Sequence, residues 1–208
     1  MDPRRSYDRV NPFFRSLLLG ATAFALWLIR VKVTVEGREK LPAGRFVMVC
    51  NHVSNYDPLV TWHGLSDKTL AFISKPENFN IFLFGRIIRR CGFMAIDREN
   101  PRKAVKTVKR AVSLLTEDEA SVVVYPEGTR SKSGELLPFH NSVFKIPQQA
   151  KVPLVVATVH GTRRIVPFRG TTVTLKIRSV LPTEFLAENR TDAIGETVRS
   201  EMLKEGER

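Results

Sequence analysis

The sequence predicts an α/β fold, on three observations. Short apolar segments alternate with longer amphipathic ones along most of the chain. No internal repeat, low-complexity tract or long linker interrupts that alternation. The chain has 208 residues, 43% of them hydrophobic and 26% charged, which is material for one domain with a sizeable core. A disordered chain and a multi-span membrane protein are both excluded by that balance.

Taken in order, the first element is the uncharged run Ser16–Ile29, bounded by Arg15 and Arg30 and preceded by Arg4, Arg5 and Arg9. A spanning helix needs roughly 20 apolar residues, so this run is short for one. It reads as a signal peptide, a core helix or a helix lying on a membrane. Ala21-Thr22-Ala23 resembles a cleavage site but lies inside the run, which argues against the first. The basic flanks favour the third. Residues 1–30 are accordingly expected to form a membrane-associating segment and 31–208 the folded domain. Val31–Val35 alternates with period two and reads as a strand, as do Phe46–Cys50, Thr69–Ser74, Gly92–Ile96, Ser121–Tyr125, Val152–Val159 and Thr172–Val180. Helices are expected at Pro58–Gly64, Phe79–Arg90 and Pro101–Thr116, the last with proline in its first turn, and Asp192 can cap a final helix.

Charge narrows the function. Lys and Arg number 33 and Asp and Glu 21, a net +12. From Arg86 to Arg110 nine basic residues face only Asp97 and Glu99, so +7 of the excess lies in one stretch. Such a balance points to nucleic acid, an acidic membrane or a phosphorylated substrate. Cys50 and Cys91 have neither metal nor redox spacing and exclude a disulfide-stapled mini-domain.

Two polar clusters follow strands, where ligand sites of open α/β sheets gather. The first is Asn51-His52-Val53-Ser54-Asn55-Tyr56-Asp57-Pro58. His52 and Asp57, five apart, cannot share a straight helix face, but a turn can fold the carboxylate onto the imidazole and make a general base. The competing reading is an acidic cap on the helix beginning at Pro58. Cys50, two residues before His52, is a rival nucleophile or a buried structural thiol. Ser54 lacks the Gly-x-Ser-x-Gly context of a hydrolase. The second cluster, Pro126-Glu127-Gly128-Thr129-Arg130, can cradle an oxyanion, with Arg130 offering a planar fork, or can be a surface loop with a local ion pair. It matches neither common nucleotide-binding pattern.

Together these segments carry a resemblance. Asn51-His52-x-Ser54-x-x-Asp57 resembles the His-x-x-x-x-Asp signature of the glycerolipid acyltransferases, and Tyr125-Pro126-Glu127-Gly128-Thr129-Arg130 resembles that family's Phe-Pro-Glu-Gly-Thr-Arg block. Gly92–Arg98 and Val152–Val156, with Pro153, are similar to two further blocks, and all four occur in family order. Within the family the pattern is most similar to the short bacterial 1-acylglycerol-3-phosphate type. The resemblance implies a single domain with a mixed central sheet flanked by helices. It implies acyl transfer from an acyl-CoA or acyl carrier protein thioester to the hydroxyl of lysophosphatidic acid, giving phosphatidic acid, without a bound cofactor or metal. In it His52 and Asp57 are catalytic, and Arg98, Glu127, Gly128, Thr129 and Arg130 meet the acceptor. Asn51, Ser54, Pro126 and Pro153 support the motifs. The partners implied are an anionic membrane surface on the cytoplasmic face of the cell membrane and a lysophospholipid, not nucleic acid. One stretch departs: relatives read Pro-Phe-Lys-Lys/Arg-Gly-Ala/Ser where this chain has Pro138-Phe139-His140-Asn141-Ser142-Val143, and Pro147 is expected to interrupt the next helix. Two alternatives stay open, another lysolipid or aminolipid acceptor and a non-catalytic basic module that binds membranes.

Overall fold

The computed structural model describes residues 9–96 and 101–204. Its strands are β1 (Val31–Glu36), β2 (Val47–Cys50), β3 (Leu70–Ser74), β4 (Met94–Ala95), β5 (Ser121–Val124), β6 (Leu154–His160) and β7 (Thr171–Leu181). They form one sheet in the order β1-β7-β6-β2-β5-β3-β4. Every pairing is parallel except β6 with β7, which makes the sheet mixed.

The central strands are continuous apolar runs because both their faces are covered. Along β2 the side chains divide by parity. Val47 and Val49 join Val122, Val124, Leu154 and Val156 under helices α4 (Pro101–Thr116), α5 (Lys145–Ala150), α6 (Thr183–Glu188) and α7 (Thr191–Leu203). Met48 and Cys50 join Phe72, Val123 and Val155 beneath α1 (Pro12–Leu28) and α2 (Asp57–Gly64). Helix α4 presents Ala111, Leu114 and Leu115 to the first layer at helical spacing.

Helix α1 begins cleanly. Pro12 occupies its first turn, and the Asn11 carboxamide accepts from the Phe13 and Phe14 N–H groups. One face packs on the domain through Leu26 and Thr22, while Arg15 donates to the carbonyls of Ser66 and Lys68. The opposite face, Phe13, Leu17, Phe24, Trp27 and Leu28, is apolar yet exposed, with Trp27 71% accessible. The segment is half docked and half bare. Among the described residues no helix is long and apolar enough to cross a membrane.

Four local expectations change. The helix expected over Phe79–Arg90 is broken. A 3-10 turn covers Pro76–Asn80, and α3 (Phe84–Arg90) starts only after Leu83, which has φ 62°. Ile81, Phe82, Leu83 and Phe84 have no helical period to sustain a continuous helix. The strand expected over Gly92–Ile96 shrinks to Met94–Ala95 at the sheet edge. Pro147 does not interrupt α5; it lies in the helix's first turn, where an N–H has no intrahelical partner to lose. Asp192 lies inside the first turn of α7, whose cap is Arg190. The break before α3 depends on Gly85, since a Cβ there would lie 2.2 Å from the Phe79 carbonyl oxygen. Gly85→Ala should therefore destabilise the domain by about 1–3 kcal/mol, the usual range for overpacking. Urea denaturation should show this as a lower midpoint at unchanged slope.

Candidate active site

Strands β2, β5 and β6 are adjacent and parallel, so their carboxyl ends deliver three loops to one place. The loop after β2 carries the first polar cluster. Asn51 closes the strand by imitating a neighbouring backbone: its side-chain oxygen accepts from the Val159 N–H at 2.7 Å and its NH2 donates to the Val159 carbonyl at 3.2 Å. Ser54 Oγ accepts from the Tyr56 N–H and tightens the turn. That turn brings Asp57 back onto His52, with Nδ1 2.8 Å from Oδ2. Asp57 is fully buried and does not cap α2 in the usual way. Its Oδ2 also accepts from the Val53 and Ser54 N–H groups, both at 2.7 Å. Its Oδ1 accepts from Thr162 Oγ1 at 2.6 Å. With the carboxylate as acceptor, Nδ1 carries the ring proton and Nε2 keeps a free lone pair.

The loop after β5 grips the His52 backbone from both sides. Glu127 Oε1 accepts from the His52 N–H at 2.6 Å, and the Ser131 N–H donates to the His52 carbonyl at 2.8 Å. Glu127 Oε2 accepts from Leu137 N–H at 2.9 Å. Burial pushes the Glu127 carboxyl above its ordinary value, with these two N–H groups opposing the rise. The Tyr125 ring stacks on the imidazole at 4.4 Å between centroids, and burial holds its phenol well above the normal range.

His52 opens onto a cavity of about 470 Å³. Phe72, Ile73, Ile88, Phe93 and Ile96 supply apolar wall, while Lys75, Asn78, Thr129 and Arg130 supply polar groups. Pro126 and Gly128 also line it; Glu127 does not, since both its oxygens face backbone N–H groups behind the wall. Arg98 lies outside the described residues. Pro153 sits at the opposite end of the sheet, its carbonyl accepting from Val47 N–H. The Cys50 thiol is buried among core side chains and pushed well above its ordinary value by burial, which leaves it inert as a nucleophile. Among the described residues no three His, Cys, Asp or Glu side chains converge as a metal site. The apolar and cationic walls around an acceptor imidazole suit a proton-abstracting site for an amphipathic anion.

A model of the family described as Acyltransferase matches residues 32–160. The chain belongs to the Acyltransferase family. It is 31% identical over 171 residues to a 1-acyl-sn-glycerol-3-phosphate acyltransferase of Cocos nucifera, covering 79% of this chain and 54% of that one. It is 30% identical over 153 residues to the protein of that name from Salmonella typhimurium, covering 74% and 62% respectively. This Acyltransferase chain spans about half the length of the first curated relatives it matches. The crystal structure of the 1-acyl-sn-glycerophosphate (LPA) acyltransferase PlsC from Thermotoga maritima superposes with a TM-score of 0.71 at 26% identity, covering 89% of this chain and 77% of that chain.

Thr162 is the residue of the Acyltransferase site that sequence reasoning missed. It follows Gly161, which turns the chain at φ 87° directly after β6. Its signal was slight, a Gly-Thr pair behind an apolar strand, and it gains meaning only once β6 is known to lie beside β2. Thr162→Val should leave Asp57 Oδ1 buried without its donor and cost about 1–3 kcal/mol. Thr162→Ser, which keeps the hydroxyl, should denature close to the parent in the same urea titration.

Proposed function

We propose that this chain transfers a fatty acyl group from an acyl thioester to the free hydroxyl of 1-acylglycerol-3-phosphate, giving phosphatidic acid. The observation that carries this reading is the His52–Asp57 pair opening onto a cavity with both apolar and cationic walls. The names of the relatives support the choice of acceptor.

His52 Nε2 takes the proton of the acceptor hydroxyl as its oxygen attacks the thioester carbonyl. Asp57 holds the ring and stabilises the imidazolium that forms. Collapse of the tetrahedral intermediate breaks the C–S bond, and the proton on Nε2 is available to the departing thiolate. No acyl-enzyme forms and no metal or bound cofactor takes part; acyl-CoA or acyl-acyl carrier protein is the co-substrate. Arg130, with Arg98, meets the acceptor phosphate, and Gly128 and Thr129 line its path. Glu127 acts by fixing the His52 peptide. Residues 1–30 seat the enzyme on the acidic cytoplasmic leaflet through the bare face of α1, and 31–208 form the transfer domain.

A second reading concerns the acceptor. His140, Ser142 and Val143, from the stretch that departs from the family pattern, line the same cavity. They favour a lysolipid or aminolipid whose headgroup differs from glycerol phosphate. A panel of lysolipids with one acyl-CoA separates the two: product from another lysolipid and none from lysophosphatidic acid overturns the first choice.

His52→Ala should lower kcat for acyl transfer by about 100- to 10,000-fold, the usual share of a general base. Binding of the variant to anionic vesicles should match the parent. Equal turnover by the variant would exclude this mechanism, and a parent inactive on every acceptor would favour a non-catalytic membrane module.

A further inference from the structure

Ile81, Phe82, Leu83 and Phe84 are four large apolar side chains in succession, and all four are exposed, Phe82 at 85%. Their backbone is held in shape. The Phe84 N–H donates to the Phe82 carbonyl at 2.7 Å around Leu83 with φ 62° and ψ −52°, a γ-turn that residues with a Cβ seldom adopt. Gly85 N–H closes the loop on the Ile81 carbonyl at 2.8 Å, and Gly85 itself presses against the Phe79 carbonyl. Arg89 lies 4.9 Å from the Phe79 ring centroid and braces the base. A loop shaped only by water would turn such side chains inward; this one is built to hold them out.

Around the apolar tip is a cationic neck. The Arg86 guanidinium lies 5.9 Å from the Phe82 ring centroid. Lys75 lines the neighbouring cavity and Arg89 stands on the Phe79 ring at the base of the loop, while Arg90 turns away to Phe14 of α1; the single acid from Lys75 to Ile96 is Glu77. Rings at the tip and guanidinium groups just above them match the layering of an anionic bilayer, acyl chains below and phosphates at the surface. The tip also borders the His52 cavity, because Phe84, Ile88 and Lys75 line it.

We propose that Ile81–Phe84 is a lip that inserts into an anionic bilayer and passes the acceptor's acyl chain directly into the His52 cavity. The identity of the passenger rests on the acyl-transfer reading; insertion does not. A chain entering over this lip stays in contact with apolar groups and avoids crossing water.

The test uses the full chain and Phe82→Asp, with Val105→Asp as the control. Val105 is an exposed apolar residue on α4. Partition onto phosphatidylcholine vesicles containing phosphatidylglycerol is measured by sedimentation. Turnover is measured on long-chain lysophosphatidic acid in those vesicles and on a short-chain analogue dissolved as monomer. Phe82→Asp should weaken partition about tenfold, as expected when an aromatic anchor becomes a charge facing an anionic surface. It should slow turnover on the vesicle-bound acceptor by a similar factor and leave the monomeric acceptor within about twofold. Val105→Asp should match the parent in both assays. Unchanged partition of Phe82→Asp overturns the insertion, and equal losses on both acceptors overturn the lip as an entry path. A parent that is dimeric by light scattering, with Phe82→Asp monomeric, overturns the lipid as occupant in favour of a second copy. If the parent turns over neither acceptor while the partition difference holds, the acyl-transfer reading fails and the insertion stands.

Discussion

One buried carboxylate organises the site. Asp57 has no access to water, and four donors from two parts of the chain point at its two oxygens: His52 Nδ1, the Val53 and Ser54 N–H groups, and Thr162 Oγ1. A buried carboxylate short of donors is costly, so the fold cannot relax any of these contacts cheaply. Each donor in turn fixes something: the imidazole tautomer, the turn after β2, and the start of the loop after β6. The geometry of the His52–Asp57 pair and the packing of the sheet's carboxyl edge are thus the same set of hydrogen bonds.

Glu127 plays the matching part from the other side. Its oxygens join the His52 peptide to Leu137, ten residues further along its own loop, while Ser131 secures the His52 carbonyl. His52 is consequently fixed at its backbone by one loop and at its ring by another, with Tyr125 stacked on its face. An imidazole constrained in this way has little freedom left to lose, which is the physical meaning of preorganisation. Of the residues that do this bracing, Tyr125 lines the cavity, whereas Asp57, Glu127 and Ser131 stay behind its wall. They hold the wall and the imidazole in register.

The strands of the sheet were legible because their signal is local: runs such as Val47–Cys50 and Val122–Val124 are apolar at every position, as burial on both faces demands. The His52–Asp57 pair was legible as a spacing, though spacing alone favoured a helix cap. What decided between them was the turn through Val53 and Ser54, a matter of backbone direction that composition does not encode. Glu127 was legible as a residue, but only the fold reveals that both its oxygens face backbone N–H groups. Thr162 was invisible because it lies 105 residues from Asp57 and meets it only through the adjacency of β6 and β2. The region Phe79–Arg90 failed for a different reason: its apolar residues are numerous enough to suggest a helix, yet their unbroken run serves exposure rather than burial.

The structure also divides the net charge into two kinds. Several arginines are consumed inside the fold, where a guanidinium fork caps pairs of turn carbonyls. Arg15 holds Ser66 and Lys68, Arg163 holds Lys132 and Ser133, and Arg199 holds Leu136 and Leu137. These cations replace backbone hydrogen bonds that loops cannot make for themselves, so counting them as a surface for polyanions overstates the excess. Arg130 at the cavity wall and Lys75 and Arg86 near its rim belong to the second kind, beside apolar side chains rather than carbonyl pairs. An anion drawn by those cations meets hydrophobic wall within the same cavity, which a nucleic acid backbone cannot use and a lipid phosphate with its acyl chain can. The combination of free charge with apolar surface, more than the size of the charge itself, is what supports the proposed amphipathic acceptor over a nucleic acid.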